Sequence, residues 1–120
     1  MATPNIVSVA TINGFLVNGA VTTSDTDIVT VAADYVYKIN TVMITNIDGT
    51  NTADVTLRLS TDNASTYHNI ADAIPVPPKT VLTIIDKNNS IYMDETDRLR
   101  VSGSANSDLT YHVSGEKITD

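Results

Sequence analysis

Short runs of aliphatic and β-branched residues alternate with polar turns along the whole chain, with no helical stretch between them. The alternation is clearest at Ala53–Ser60, where Val55, Leu57 and Leu59 point one way and the residues between them point the other. This period of two predicts a half-buried strand of an antiparallel sheet. Comparable runs predict further strands at residues 28–33, 65–70, 81–85, 91–93, 98–102 and 109–114.

The longest extended run, residues 35–47, carries apolar side chains on both faces toward its middle. Tyr37, Ile39 and Met43 fall on one face, and Val42 and Ile44 fall on the other. Strands with two apolar faces are typical of sheets that are buried on both sides. The pattern therefore predicts a central strand covered on both sides.

The N-terminal segment carries a strong two-residue turn signal, Asn13-Gly14, between two short apolar runs. Both residue types tolerate positive φ, so the pair predicts a short hairpin or an extended arm with a turn. Asn18-Gly19 is a second turn candidate. We therefore expect residues 1–14 to form an arm or short hairpin, and residues 15–120 to form a single domain.

The strands and turns together predict an all-β fold, an antiparallel β-sandwich. About eight strands of ordinary length, with turn signals every 8–12 residues, fit a sandwich or a barrel. Pro75, Pro77 and Pro78 exclude a central strand and predict an edge strand or a crossover. This combination favours a jelly-roll-like sandwich. An immunoglobulin-like sandwich is the alternative, although its Cys–Trp–Cys signature is missing.

Composition and charge exclude several classes of function. The chain has 7 Lys and Arg against 14 Asp and Glu, a net charge of −7. Nucleic-acid binding needs a basic patch, so no nucleic-acid partner is expected. Cysteine is absent, which excludes disulfides and thiolate metal sites. The sequence shows no signal-peptide pattern and no apolar run of roughly 18 residues, so we expect a cytoplasmic origin and no membrane partner.

No group of side chains in the sequence predicts catalysis or a cofactor. His68 and His112 each follow a Tyr in a predicted strand, and two histidines on unrelated strands supply too few ligands for zinc. Asp94, Glu95 and Asp97 have the chemistry of a glycosidase pair or a Ca²⁺ site, but a solvated turn is the simpler interpretation. No serine lies in a Gly-x-Ser-x-Gly motif. We therefore expect no enzyme and no cofactor.

Two segments of the chain carry a further strand-and-turn pattern: VYKINTVMITNIDGTNTADVTLRLS and VPPKTVLTIIDKNNSIYMDETDRLRVSGSANSDLTYHVSGEKI. The pattern consists of the strand at residues 39–46, Val76-Pro77 followed by Val81-Leu82, and the turn and strand at residues 93–102. In these features, over residues 30–118, the chain resembles small virion proteins of tailed bacteriophages. Thr96 stands where that pattern usually has Gly, so this turn lacks a residue that readily takes positive φ.

The resemblance implies a structural β-sandwich of a phage particle, most favourably a capsid decoration (cement) protein that bridges subunits of the major capsid protein. It also implies location in the virion and a homotrimer, and it supplies no catalytic residues. A tail, neck or fibre component is one alternative, and a carbohydrate-binding module is another. The candidate partner-binding residues lie in the arm and at the Pro-rich edge: Thr3, Pro4, Asn5, Ile6, Val7, Ile12, Pro75, Pro77, Pro78 and Lys79.

Overall fold

The computed structural model describes residues 11–119, and this part of the chain is all-β, without helices. Its nine strands are β1 (Thr11–Ala20), β2 (Thr26–Thr30), β3 (Tyr35–Asn46), β4 (Ala53–Ser60), β5 (His68–Val76), β6 (Val81–Ile85), β7 (Ile91–Met93), β8 (Arg98–Gly103) and β9 (Leu109–Thr119). They form two antiparallel sheets, which confirms the predicted sandwich.

The strands pair in a nested order. β4 pairs with the next strand, β5; outward from this hairpin, β3 pairs with β6 and β7, β2 with β8, and β1 with β9. The sheets have the orders β1-β9-β3-β6 and β2-β8-β4-β5. β6 and β7 lie along the same side of β3 and form one strand interrupted by residues 86–90. The domain therefore has four strand positions in each layer, the arrangement of a double-sheet jelly roll.

A bulge in β3 changes which of its residues face the core. The register of β3 with β9 shifts between Ile39 and Thr41, so Asn40 is an extra residue. Ile39 before the bulge and Val42 and Ile44 after it are all fully buried between the sheets. Because one inserted residue reverses the alternation, the odd-numbered Ile39 before the bulge and the even-numbered Val42 and Ile44 after it point to the same side. The prediction of a strand covered on both sides is therefore wrong.

β1 runs straight through both Asn-Gly pairs. All ten of its residues pair with β9 without a register shift, and no glycine in the described range has positive φ. The predicted hairpin at Asn13-Gly14 and the predicted turn at Asn18-Gly19 are wrong, and the expected boundary after residue 14 falls inside β1. A Cβ at Gly19 would lie 2.9 Å from the Tyr111 hydroxyl, so glycine here makes room for a side chain.

The Pro-rich segment agrees with the prediction of an edge or a crossover. Among the described residues β5 pairs only with β4, so it borders its sheet, and it contains Pro75. Pro77 and Pro78 follow in the connection that carries the chain to β6 in the other sheet. β5 begins at His68, three residues later than the predicted run.

The core lies between the sheets and is aliphatic. The largest fully buried side chains include Ile39, Ile44, Leu57, Met93, Leu99 and Leu109. Removing each such side chain from water stabilises the fold by about 1.5–3 kcal/mol. At one end of the sandwich the buried amide of Asn46 donates to the carbonyl oxygens of Val76 (2.8 Å) and Asn51 (2.9 Å), and so holds two neighbouring segments together.

Candidate assembly surface

The structure places the predicted partner-binding residues in separate regions. Ile12 lies near the start of β1, and 53% of its surface is exposed. Ile12 and Val36 both pair with Ile118, so Ile12 lies at the level where β3 begins. Outside the described residues are Thr3, Pro4, Asn5, Ile6 and Val7.

Residues 75–79 lie at the opposite end of the domain. The backbone N–H of Asn46, the last residue of β3, donates to the Thr80 carbonyl at 2.9 Å, so this connection lies beyond the end of β3. This connection and Ile12 are therefore about 30 Å apart, because β3 spans that length at the rise of a β-strand. Lys79 has a φ of 57°, and its stem lies against Gly49. The two predicted segments therefore do not form one site.

Three of the four sheet edges in the described range carry features that hinder pairing with another strand. β2 has five residues, and its register with β8 shifts. β5 contains Pro75, and its register with β4 shifts twice. β6 and β7 are separated by residues 86–90, and the register of β6 with β3 also shifts. Short strands, bulges and prolines are among the means by which proteins block association between sheet edges.

The fourth edge, β1, has none of these features. It is ten residues long, its register with β9 is continuous, and it contains neither a proline nor a charged residue. The first charged residue of the chain is Asp25, although the chain as a whole carries a net charge of −7. A long, regular, uncharged edge strand is a template for pairing with another strand.

The backbone groups of β1 that face away from β9 follow from the hydrogen-bond pattern. The N–H of Val21, next to the end of β1, donates to the Leu109 carbonyl at 2.8 Å. In an antiparallel ladder alternate residues bond to the same neighbour, so the odd-numbered residues of β1 bond to β9. The N–H and C=O groups at the open edge therefore belong to the even-numbered residues: Ile12, Gly14, Leu16, Asn18 and Ala20.

The side chains of β1 are apolar on both faces. Leu16 points away from the core and is 64% exposed, like Ile12 on the same face. Phe15 and Val17 point the other way and pack, partly buried, against the core. A strand placed beside β1 would thus find apolar neighbours on both faces in addition to free backbone groups.

A cleft of about 160 Å³ opens between the sheets beside β1. The Lys117 Nζ lies 5.5 Å from the centre of the Phe15 ring and 5.2 Å from the centre of the Tyr37 ring, within the range of cation–π attraction. The other lining residues are Val17, Ile28, Val29 and Thr30. The inner side of the β1 edge therefore presents both apolar and polar surface and is incompletely covered.

The outer face of the other sheet carries paired charges, although the buried Nε of Arg98 has no hydrogen-bond partner among the described residues. Asp27 accepts hydrogen bonds from the Arg100 Nε (2.8 Å), the Tyr67 hydroxyl (3.1 Å) and Arg98 (3.3 Å). The Arg100 guanidinium also stacks over the Tyr67 ring, 3.9 Å from its centre. Partial burial raises the pKa of Asp27, but the hydrogen bonds from Arg100 and Tyr67 outweigh this effect and lower the pKa below its usual value.

The remaining arginine, Arg58, is also paired on this sheet. Arg58 forms a 2.9 Å ion pair with Asp25, and its Nε donates to the Asn69 side chain. All three arginines thus pair with carboxylates, Arg58 with Asp25 and the other two with Asp27. The two sides of the domain differ accordingly, since one presents neutralised charges and the other presents an uncharged open edge.

The residues considered for catalysis do not converge. His68 lies in β5 and His112 in β9, which belong to different sheets. In the acidic turn Glu95 accepts from the Asp34 N–H, and Asp97 accepts from the Asp94 N–H. Within residues 11–119 no three His, Asp or Glu side chains are grouped to hold a metal ion. The described range also has no helix with the length and apolarity of a membrane span.

The sequence interpretation missed the two features that distinguish the surface, the β1 edge and the Asp27 network. One signal was present for the β1 edge: no residue before Asp25 carries a charged side chain. The Asp27 network depends on pairing between distant strands. No protein-family model and no curated protein sequence matches the chain.

Proposed function

We propose that the protein is a non-catalytic structural component of a bacteriophage virion, most favourably a decoration protein that stabilises the capsid. The observation that carries this proposal is the β1 edge, which is long, regular and uncharged, in a domain whose other three edges are blocked. An edge of this kind suits a protein that works by association. The resemblance of residues 30–118 to small phage virion proteins supports the same function.

The fold is consistent with this proposal without requiring it. Double-sheet jelly rolls occur in viral capsid proteins and also in lectins, so the fold alone does not define the function. The surface of the domain supports the first of these classes. The described residues offer edge hydrogen bonds and apolar side chains on β1, which suit a protein neighbour better than a sugar.

The proposed mechanism is stabilisation by binding to the assembled state. A protein that binds only the mature shell lowers the free energy of that shell by mass action, and so raises the cost of rupture. The β1 edge would join two copies of the chain, and residues 75–79 at the far end of each copy would contact the shell. A pair of copies with one shell contact at each end can bridge two capsid subunits.

The test is to quantify the chain in purified particles of the phage that encodes it, by mass spectrometry against the major capsid protein. Hundreds of copies per particle would support the decoration role. A few copies would move the proposal to a tail, neck or fibre position. Absence from particles, together with binding to a glycan array, would refute it in favour of a carbohydrate-binding module.

A further inference from the structure

We infer that β1 pairs antiparallel with the β1 strand of a second copy of this chain, across a two-fold axis at Leu16. The inference deepens the proposed function and rests on it, since it names the partner of the assembly surface. It predicts a continuous sheet that runs through both copies. Three properties of the edge point to a second copy: the positions of its open backbone groups, its side-chain pattern and its charge.

The open backbone groups are compatible with an axis at Leu16. In this register Leu16 pairs with itself, Gly14 with Asn18, and Ile12 with Ala20, so each open N–H and C=O group of residues 12–20 faces a partner. Among the large apolar side chains of β1, Leu16 is the most exposed, which favours it as the centre.

The side chains fit the same register. On the outer face the two Leu16 side chains, each 64% exposed in the single chain, become direct neighbours. On the inner face Phe15 of each copy lies opposite Val17 of the other, at a non-hydrogen-bonded pair where side chains approach most closely. Both residues line the cleft beside β1. The clefts of the two copies thus face each other across the axis, and pairing covers their open sides.

Charge does not oppose contact between two copies along β1. Each chain carries a net charge of −7, so two copies repel each other in general. β1 has no charge, and the only charged residues that pair with it are Glu116 and Lys117, of opposite sign. Contact along β1 therefore brings no new like charges together. Because salt screens the remaining repulsion, we expect the pairing to strengthen as ionic strength rises.

The experiment uses the absence of cysteine in the native chain. In the Leu16 register the Cα atoms of the two Leu16 residues are about 5.5 Å apart, within the range that a disulfide spans. Mild oxidation of Leu16→Cys should therefore give a covalent dimer in high yield. Gly14→Cys and Asn18→Cys are the matched controls, because in this register residue 14 of one copy lies opposite residue 18 of the other. The two introduced cysteines of either control are then about four residues apart along the strands and should not crosslink. Crosslinking of Gly14→Cys without Leu16→Cys would overturn the register.

Light scattering on the uncrosslinked chain tests the association itself. We expect twice the 12.8 kDa mass of the chain, and loss of the dimer in Leu16→Asp. Ile47→Asp is the matched control, because Ile47 is similarly exposed (59%) but lies outside β1, and it should remain dimeric. A monomer at all concentrations, a trimer, or a dimer that survives Leu16→Asp would overturn the inference.

The particle measurement separates this inference from the proposed function. A chain that is abundant in particles but monomeric in solution would refute β1 pairing and leave the virion role standing. A Leu16-centred dimer that is missing from particles would refute the virion role and leave the pairing standing. Circular dichroism of each variant verifies that the fold is retained.

Discussion

Gly115→Ala is expected to destabilise the domain strongly, because glycine is required there for space. Gly115 lies in β9 between β1 and β3, opposite Ile39 and next to the β3 bulge. A Cβ at this position would stand 2.0 Å from the Lys38 carbonyl oxygen and 3.1 Å from the Phe15 ring. The nearest obstacle is backbone, so the strand itself must move by about 1 Å to restore an ordinary contact.

The magnitude follows from two opposing effects. Overpacking that shifts backbone costs about 1–3 kcal/mol, and each central-strand hydrogen bond that is weakened adds up to about 1 kcal/mol. Replacing Gly with Ala also restricts the unfolded chain, which offsets about 0.4–1 kcal/mol. The expected net loss is about 2–3 kcal/mol in the free energy of unfolding. For a domain of this size that loss lowers the Tm by about 10 °C.

Urea denaturation followed by far-ultraviolet circular dichroism measures this loss. Gly14→Ala is the matched control, because it makes the same chemical change on the neighbouring strand. A Cβ at Gly14 meets only the Gly115 carbonyl oxygen at 3.9 Å, an ordinary contact. This variant should be unchanged or more stable by up to about 1 kcal/mol. If Gly115→Ala unfolds at the same urea concentration as Gly14→Ala, the steric reasoning is wrong.

Three further predictions concern the turns and the charge network. Thr96 has a φ of 70°, a conformation that costs a β-branched residue about 1–2 kcal/mol. Thr96→Gly should therefore raise the unfolding free energy by about 0.5–1 kcal/mol, since glycine adopts this φ freely but loses more entropy on folding. An unchanged urea midpoint would contradict the strain at Thr96. Burial, with a further contribution from the nearby Asp94 carboxylate, raises the pKa of Asp97, so its ionisation costs stability as pH rises above 3.8. Asp97→Asn retains the acceptor for the Asp94 N–H and should match or exceed the native stability at pH 7; a lower Tm than the native protein would refute this. For Asp27 the dependence of stability on pH has the opposite sign. Its pKa is lowered, so its stabilising effect is present above pH 3.8 and is lost as pH falls through the folded-state pKa. Asp27→Asn should therefore cost about 1–2 kcal/mol at pH 7 in urea titrations, and this cost should shrink as the pH is lowered below 3.8. A cost that does not change with pH would exclude the Arg100 contact as its cause.

The strands were predictable from the sequence where the alternation is strict, and errors arose where a bulge interrupts it. In β4 the period of two corresponds to burial, since Val55 and Leu57 are fully buried and Leu59 packs partly buried against the core. In β3 the extra residue Asn40 reverses the parity, so Ile39 before it and Val42 and Ile44 after it all face the core although the sequence alone places them on opposite faces. A single sequence does not mark the position of a bulge, because the shift is defined by pairing with β9 some seventy residues later.

The Asn-Gly pairs of β1 show how long-range pairing overrides a local signal. Asn13-Gly14 has the composition of a hairpin turn, but continuous pairing of β1 with β9 holds the pair in extended conformation. The preference of a two-residue turn is small compared with ten residues of ladder and the packing of Phe15 and Val17 on the core. Local turn chemistry therefore predicts turns best where no distant strand competes, as at the turn that contains Thr96.

The assembly surface was beyond prediction for a related reason, since whether a strand is an edge depends on the whole topology. Within residues 11–119, β1 borders its sheet because nested pairing leaves the first described strand outermost, with β9 beside it. The other three edges are shortened, bulged, interrupted or contain proline, so the chain does carry the features that block association. Their absence from the one long edge is informative because an unprotected edge leads to uncontrolled aggregation unless a defined partner covers it. A two-fold contact between identical β1 strands, as we propose, would cover this edge in a closed assembly that cannot grow further through it.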